Sequence, residues 1–297
     1  MDANADAVRL RLMGVDHTAR PTWKLKETVE FYRDSLGLPL VHSVSARGWG
    51  TDSHPDFLHF FFDSGQGSTI AFFYYVNSDA SETLRGRAGM RPMPDDHVFD
   101  ANHTAWLVDT TEELHAWRQR LLEKGVEVSA ETRHEAIESL YFRDPNGYFL
   151  EITRKLRPLN SVDGLDAALT LEAAIQLEDE ARSTGSRVTK IDSIWNRKAQ
   201  LLTRRAENAC QSNGTLRLFV PAVPEFAAIV TAANQRPACK VSAPIAGYHV
   251  IETSEPLEFT RKELGLKPAV WYGLFTGGLT GRIELFDRDR VRLLPQS

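Results

Sequence analysis

His17 and His103 stand 86 residues apart in the same phrase, His-Thr-Ala. Imidazole is the commonest side-chain metal ligand and changes charge near neutral pH. One histidine at a strand start is ordinarily half-buried with a local partner. A matched pair is different, because the repeat preserves the least core-like residue of the strand. Glu151 completes a set of three. It lies in the apolar run GYFLEITRK, and glutamate is rarely buried unless paired or bound to metal. Phe149 and Glu151 share one face of that strand, Leu150 and Ile152 the other. Two imidazoles and one carboxylate form a facial triad. Fe(II) is its best-known occupant and Mn(II) an alternative, and zinc with three protein ligands plus water is also allowed.

The flanking elements repeat as well. After VDHTARPT, the stretch KLKETVEFYRDSLG places Leu25, Val29, Tyr32 and Leu36 on one helical face, with Gly37 at the stop. LVHSVSARGW, FLHFFFD and STIAFFYYV then read as strands. After HTAWLVD, Thr110 and Glu113 have capping-box spacing. Leu114, Trp117 and Leu121 form the buried stripe of the helix they open, and Gly125 ends it. VEVSAETR, SLYFRD and GYFLEITRK read as strands, the last two joined by the turn Asp144–Gly147. Both copies are therefore βαβββ, over residues 12–76 and 100–156, with a long polar linker or lid between them. Two such half-sheets can curl around a shared cavity with His17 and His103 facing each other. Aligning GYFLE with GSTIA puts Ala71 where the second copy has Glu151. The repeat thus offers three ligands, not four.

The stretch TRHEAIESLYFRDPNGYFLE, Thr132–Glu151, resembles the signature of type I extradiol ring-cleaving dioxygenases of the vicinal oxygen chelate (glyoxalase/bleomycin resistance/dioxygenase) superfamily. His134, Leu140, Tyr141, Asp144, Pro145, Gly147 and Glu151 match it, and the two His-Thr-Ala phrases extend the resemblance over roughly residues 12–156. It implies that His17, His103 and Glu151 bind iron, and that His134 and Tyr141 contact substrate and oxygen. The implied enzyme is a non-haem Fe(II) dioxygenase. It inserts both atoms of O2 into a catechol-like aromatic and opens the ring. The family usually places a further catalytic histidine where this chain has Ser68. A serine hydroxyl is a poor general base. His59, on the neighbouring strand, and His54, in the preceding loop, are the candidates to replace it, and His59 also reads as a core histidine. His42, His97, His115 and His249 read as ordinary surface or edge residues. Along Phe60–Phe62 and Phe72–Tyr75, alternate aromatics should face the cavity, which suits a small aromatic substrate.

Composition sets the frame. With 42% hydrophobic residues and a net charge of -5, the chain reads as a globular protein with no nucleic-acid footprint. It has no apolar run of about 18 residues and no export signal at its start, and Cys210 and Cys239 make no disulfide framework. A cytoplasmic location is expected, with homo-oligomerisation open. Residues 165–297 read as a second α+β domain of unknown role. It has two amphipathic helices, then strands TLRLFVP, KVSAPIAGYHVIET, AVWYGLFTGG and GRIELFDRDRVRLL, with a short helix at VPEFAAIVTAANQR. The expected fold is α+β: paired βαβββ modules within residues 1–157, then this domain. The expected function is extradiol dioxygenation. The alternatives are another metal-dependent enzyme of the superfamily, such as a lyase, isomerase or different dioxygenase, and a metal-free module that binds an aromatic ligand.

Overall fold

The computed structural model describes residues 12–22, 24–35, 38–48, 54–77, 100–143, 149–205 and 214–295. Leu36, Gly37, Trp49, most of the linker with His97, the Asp144–Gly147 turn and Cys210 lie outside them.

Each module contributes four strands to one eight-stranded curled sheet. The first supplies β1 (Val15–Thr22), β2 (Leu40–Ala46), β3 (Phe57–Gly65) and β4 (Ser68–Tyr75). The second supplies β5 (His103–Leu107), β6 (Thr132–Arg133), β7 (Ile137–Arg143) and β8 (Phe149–Lys155). The order is β2-β3-β4-β1-β5-β8-β7-β6. Each first strand lies parallel to its own last strand, and the modules join where β1 and β5 pair antiparallel. At that seam His17 pairs with Ala105, Thr18 with Thr104 and Ala19 with His103. The two His-Thr-Ala phrases are each other's partners, and this is why the chain carries the phrase twice.

The crossover helices differ. In the first module α1 (Leu25–Val29) runs on as π-helical turns, Glu30–Ser35. In the second, α2 (Thr111–Glu123) has the expected capping box. Glu113 N donates to Thr110 Oγ1 and Thr110 N to Glu113 Oε2, each at 3.1 Å. Gly125, at φ 73°, ends it in the left-handed conformation. The expected strand VEVSAETR reduces to a bridge at Val128 and the two residues of β6.

The second half begins with α3 (Ser161–Ser183) and α4 (Ile191–Arg205). Asn160 caps α3, accepting from Val162 N at 2.8 Å. The strands β9 (Leu216–Pro221), β10 (Lys240–Val241), β11 (Tyr248–Thr253), β12 (Leu257–Thr260), β13 (Leu279–Thr280), β14 (Arg282–Phe286) and β15 (Arg290–Leu294) then form sheets of order β10-β11-β9-β13 and β12-β15-β14, with α5 (Ala227–Asn234) and α6 (Arg261–Leu264) between strands. One expected strand is corrected. AVWYGLFTGG opens as a helix, α7 (Pro268–Tyr272). Pro268 takes its first position, where the missing N–H is harmless and the fixed φ already suits a helix. GRIELFDRDRVRLL forms two strands, β14 (Arg282–Phe286) and β15, rather than one.

Strand parity places the core. Leu58, Phe60, Phe62 and Phe72 point away from the cavity. They join Leu25 and Val29 of α1, Leu169 and Ala173 of α3, and Ile194 and Trp195 of α4 in one hydrophobic cluster. Each of the leucines, phenylalanines, valine and isoleucine among them contributes roughly 1.5–3 kcal/mol by leaving water. The helices of the second half therefore cover the outer face of the first module. A buried polar knot marks the junction. Lys198 Nζ donates to Asp166 Oδ1, Thr170 Oγ1 and the Thr276 carbonyl at 2.6–2.7 Å, and Tyr248 donates to the same Asp166 oxygen at 2.8 Å.

Candidate metal centre and cavity

On the inner face of the sheet the three residues expected to bind metal converge. His17 Nε2 lies 3.3 Å from His103 Nε2 and 3.6 Å from Glu151 Oε2, and His103 Nε2 lies 3.0 Å from that oxygen. Ligands bound at about 2.1 Å and at right angles sit about 3 Å from one another, so the spacing fits one ion. All three are buried, at 2%, 9% and 1% exposure.

The second ring nitrogens show why a cation belongs there. His17 Nδ1 donates to Asp16 Oδ1 at 2.8 Å, and His103 Nδ1 donates to the Asp100 carbonyl at 3.0 Å. Carboxylate and carbonyl oxygens only accept, so each Nδ1 carries the proton. In the neutral rings both Nε2 atoms then present lone pairs to each other and to a carboxylate. Glu151 Oε1 is also buried with no hydrogen-bond partner. Burial alone would raise the Glu151 pKa, but when the imidazoles are charged the His103 hydrogen bond and their positive charge hold it down to about 2, the role a bound cation takes once the rings are neutral. The donor set fits a divalent ion, and Asp16 orients His17 as outer carboxylates orient metal-bound imidazoles.

Register explains why there are three donors. Glu151 on β8 pairs with Ala105 on β5, and Ala71 on β4 pairs with Ala19 on β1. Ala71 is thus the first module's equivalent of Glu151, as the sequence alignment expected, and it is fully buried without a donor atom.

The triad opens into a cavity of about 370 Å³ whose lining surface is mostly apolar, although histidines and charged side chains are set into it. Phe57, Phe61 and Phe73 face it, while Phe60, Phe62 and Phe72 face the helices, the expected alternation. His59 lines it too. Its ring stacks on Phe73 at 3.6 Å between centroids, lies 4.2 Å from Phe61 and stands edge-on to His17 at 6.4 Å. Its Nε2 is buried without a partner. Burial, then the neighbouring histidines, push its pKa well down, so the ring is neutral. Across the cavity His134 Nε2 and the Tyr141 hydroxyl share a 2.6 Å hydrogen bond. Tyr141 pairs with Glu151 in the β7·β8 register and stacks on Phe149. Burial and then the Glu151 charge raise its pKa, keeping the phenol protonated, and burial lowers that of His134.

The other expectations separate cleanly. Ser68 Oγ donates to the Val15 carbonyl at 2.7 Å on the exposed side of the strand. His54 donates to the Pro55 carbonyl and is not among the residues lining the cavity. His115 is exposed, as expected, and pairs with Glu131. His42 does lie on an edge strand, β2, but it is not an ordinary surface residue there: its ring lines the cavity, with Nε2 3.6 Å from Glu135 Oε2. Sequence reasoning passed over Glu135 and Asp16 altogether. Each had a signal in hand, a carboxylate directly beside a histidine already singled out.

Residues 14–152 match the profile of the Glyoxalase/Bleomycin resistance protein/Dioxygenase superfamily. No curated protein matches the chain. Among solved structures, methylmalonyl-CoA epimerase from Mycobacterium tuberculosis is 19% identical, covering 52% of this chain and 97% of its own, at a TM-score of 0.36. The 2,3-dioxygenase LapB from Pseudomonas sp. KL28 is 19% identical over 50% of this chain and 44% of its own, at 0.34. A Mn(II)-bound glyoxalase from Novosphingobium aromaticivorans has the same identity, share of this chain and score, over 40% of its own length. At these values the likenesses carry no activity over to this chain. Residues 14–152 are thus similar to the glyoxalase/bleomycin resistance protein/dioxygenase superfamily by its profile, and they bring together a donor triad fit for a divalent metal.

Proposed function

We propose that the first half of the chain is a divalent-metal enzyme that holds a small, largely apolar substrate by two neighbouring oxygens at His17, His103 and Glu151. It moves protons beside that chelate, the chemistry of a lyase or isomerase. The observation that carries this is the convergence of two imidazole lone pairs and a buried carboxylate at the end of an apolar cavity. A bound divalent ion would acidify the chelated oxygens and the bonds next to them. The remaining work belongs to side chains. His59, neutral and clamped between Phe61 and Phe73, aims an unpartnered nitrogen into the cavity and can accept a proton there. Tyr141 and His134 face the opposite side of the chelate, where the phenol can hydrogen-bond a developing oxyanion and His134 can relay its proton. The phenylalanines exclude water.

A second reading is extradiol cleavage of a catechol-like substrate by O2, with Fe(II), or alternatively Mn(II), at the triad. Ala71 favours it specifically. With no fourth protein donor, a chelating diol leaves a coordination position for a third reactant.

Anaerobic loading with Fe(II), Mn(II) or Zn(II), followed by metal analysis, tests the shared core of both readings. The parent should bind one ion, and His17→Ala and Glu151→Ala should lose it. Equal binding by parent and variants would overturn the proposal. Two assays then divide the readings: oxygen uptake with a catechol panel, and loss of deuterium from a carbon beside a chelating carbonyl.

A further inference from the structure

The cavity has a second polar end. Glu135 lies in the tight turn before β7 and is 7% exposed, with Oε1 buried and unpartnered. His42 on β2 stands beside it at 3.6 Å. The Phe61 ring lies between this pair and the triad, 5.7 Å from the His17 ring and 5.4 Å from that of His42. The pair therefore sits about one aromatic ring beyond the chelate, in the same cavity. The second half of the chain closes this end. Ala269 of α7 lines the cavity, and Gly273 puts bare backbone against the carboxyl, since a Cβ there would stand 3.2 Å from Glu135 Oε1. A buried carboxyl oxygen without a donor or acceptor is costly in a folded protein, and one lining a cavity is ordinarily matched by a ligand.

We propose that Glu135, flanked by His42, determines specificity for the end of the substrate remote from the triad, and that it selects a molecule carrying an uncharged hydrogen-bond acceptor there, such as a carbonyl oxygen. The proposal rests on the chelation reading above. Three observations choose this chemistry. First, no donor reaches the buried Oε1, and burial with the charges of Asp166, Glu225 and Asp163 pushes the carboxyl well above its ordinary range, both of which favour the protonated, donating form. Second, an anionic substituent meets no free cation, since among the described residues lining the cavity both cations are already engaged, Lys155 donating to the Gly67 carbonyl at 3.2 Å and lying 3.9 Å from Asp16 Oδ2. Arg157 already spends its guanidinium on Glu225 at 2.7 Å and on both oxygens of Asp163 at 2.7 and 2.8 Å. Third, the walls between the pair and the triad are Phe61 and Val44, which suit an uncharged ring or chain.

Cobalt(II)-loaded full-length protein tests this without turnover, because the visible spectrum of cobalt reports chelation directly. Four catechols serve as probes. 3,4-Dihydroxyacetophenone has the acceptor, 4-ethylcatechol lacks it, 3,4-dihydroxybenzoate is anionic and dopamine is cationic. Relative to each catechol's affinity for free Co(II), which corrects for the ketone's more acidic hydroxyls, the ketone should bind the parent about tenfold more tightly than 4-ethylcatechol, the worth of one hydrogen bond in a dry site. The benzoate and dopamine should bind more weakly than the ketone. Glu135→Ala should bring the ketone-to-ethyl ratio to about one, and Glu135→Gln, which keeps a donor, should preserve most of it. Equal affinities in the parent, or a preference for dopamine, would overturn the assignment while leaving chelation intact. A cobalt spectrum unmoved by every diol would instead sink the chelation reading and the proposal with it.

Discussion

Ala71 stands against Ala19 in the register that Glu151 holds against Ala105. The two modules are equivalent at this position in backbone and opposite in chemistry. Ala71→Glu should therefore restore a fourth donor. Water-proton relaxation of the Mn(II)-loaded protein should fall as a coordinated water is displaced, and turnover should drop at least tenfold. The same methylene and carboxyl groups should overpack the metal-free core, costing about 1–3 kcal/mol in urea unfolding. A folded, loaded variant with parental relaxation would show that Ala71 does not face the ion.

Asp16 accepts from His17 Nδ1, on the side of the ring away from the donor triad. Asp16→Asn should weaken metal binding about 10–100-fold, the usual effect of losing an outer carboxylate on a metal-bound imidazole. Competition against a fluorescent zinc chelator measures it. Unchanged affinity would leave His17 oriented by the strand alone.

His134→Ala should keep the metal and lose turnover far more than substrate affinity, because a hydrogen bond to developing charge strengthens only during reaction. Tyr141→Phe should do less. Single-turnover kinetics on the loaded protein separates binding from chemistry, and a parental rate in His134→Ala would remove this residue from the mechanism.

His42 titrates against stability. Burial is the main cause that lowers its folded pKa from 6.5 to about 4, with Arg157 adding to it and Asp163 opposing. The unfolded chain thus takes up this proton before the folded one. The stability contribution is complete above pH 6.5 and is lost as the pH falls towards 4, by up to about 3 kcal/mol. Urea unfolding with chelator present, at pH 7.5 and pH 4.5, should show His42→Phe losing less stability between the two than the parent. An equal loss would place the acid sensitivity elsewhere.

Lys198 ties α4 to α3 and to the Thr276 carbonyl. Lys198→Met should cost about 3–5 kcal/mol, since Asp166 would remain buried with its charge uncompensated. Because the hydrophobic cluster runs through both halves, calorimetry should show a single transition in the parent. Two separated transitions would mean that the halves unfold independently.

What could be seen in the sequence depended on repetition and parity. The His-Thr-Ala phrases, the capping box at Thr110 and the alternating phenylalanines are local patterns with one physical reading each. The triad followed because each member stood out within its own strand. His42 and Glu135 did not stand out. They are 93 positions apart by number, and only the curl of the sheet and the closure by α7 bring them together. The helix at Pro268 was hidden for another reason. Val270, Trp271 and Tyr272 have strong strand preference, and a single turn opened by proline has too few residues to show a period. The packing of α3 and α4 on the first module was equally invisible, because an amphipathic helix does not name the surface it covers.

The antiparallel meeting of the two His-Thr-Ala phrases also sets an order of events during synthesis. One ligand lies at position 17, the next at 103 and the last at 151, so an emerging chain holds no complete donor set until the second module has left the ribosome and zipped against the first. The outer face of the first module waits longer still, for the helices that begin at Ser161. Metal capture at this triad would therefore be a late step that reports completion of the sheet, and a chain truncated before Glu151 would be expected to emerge without it.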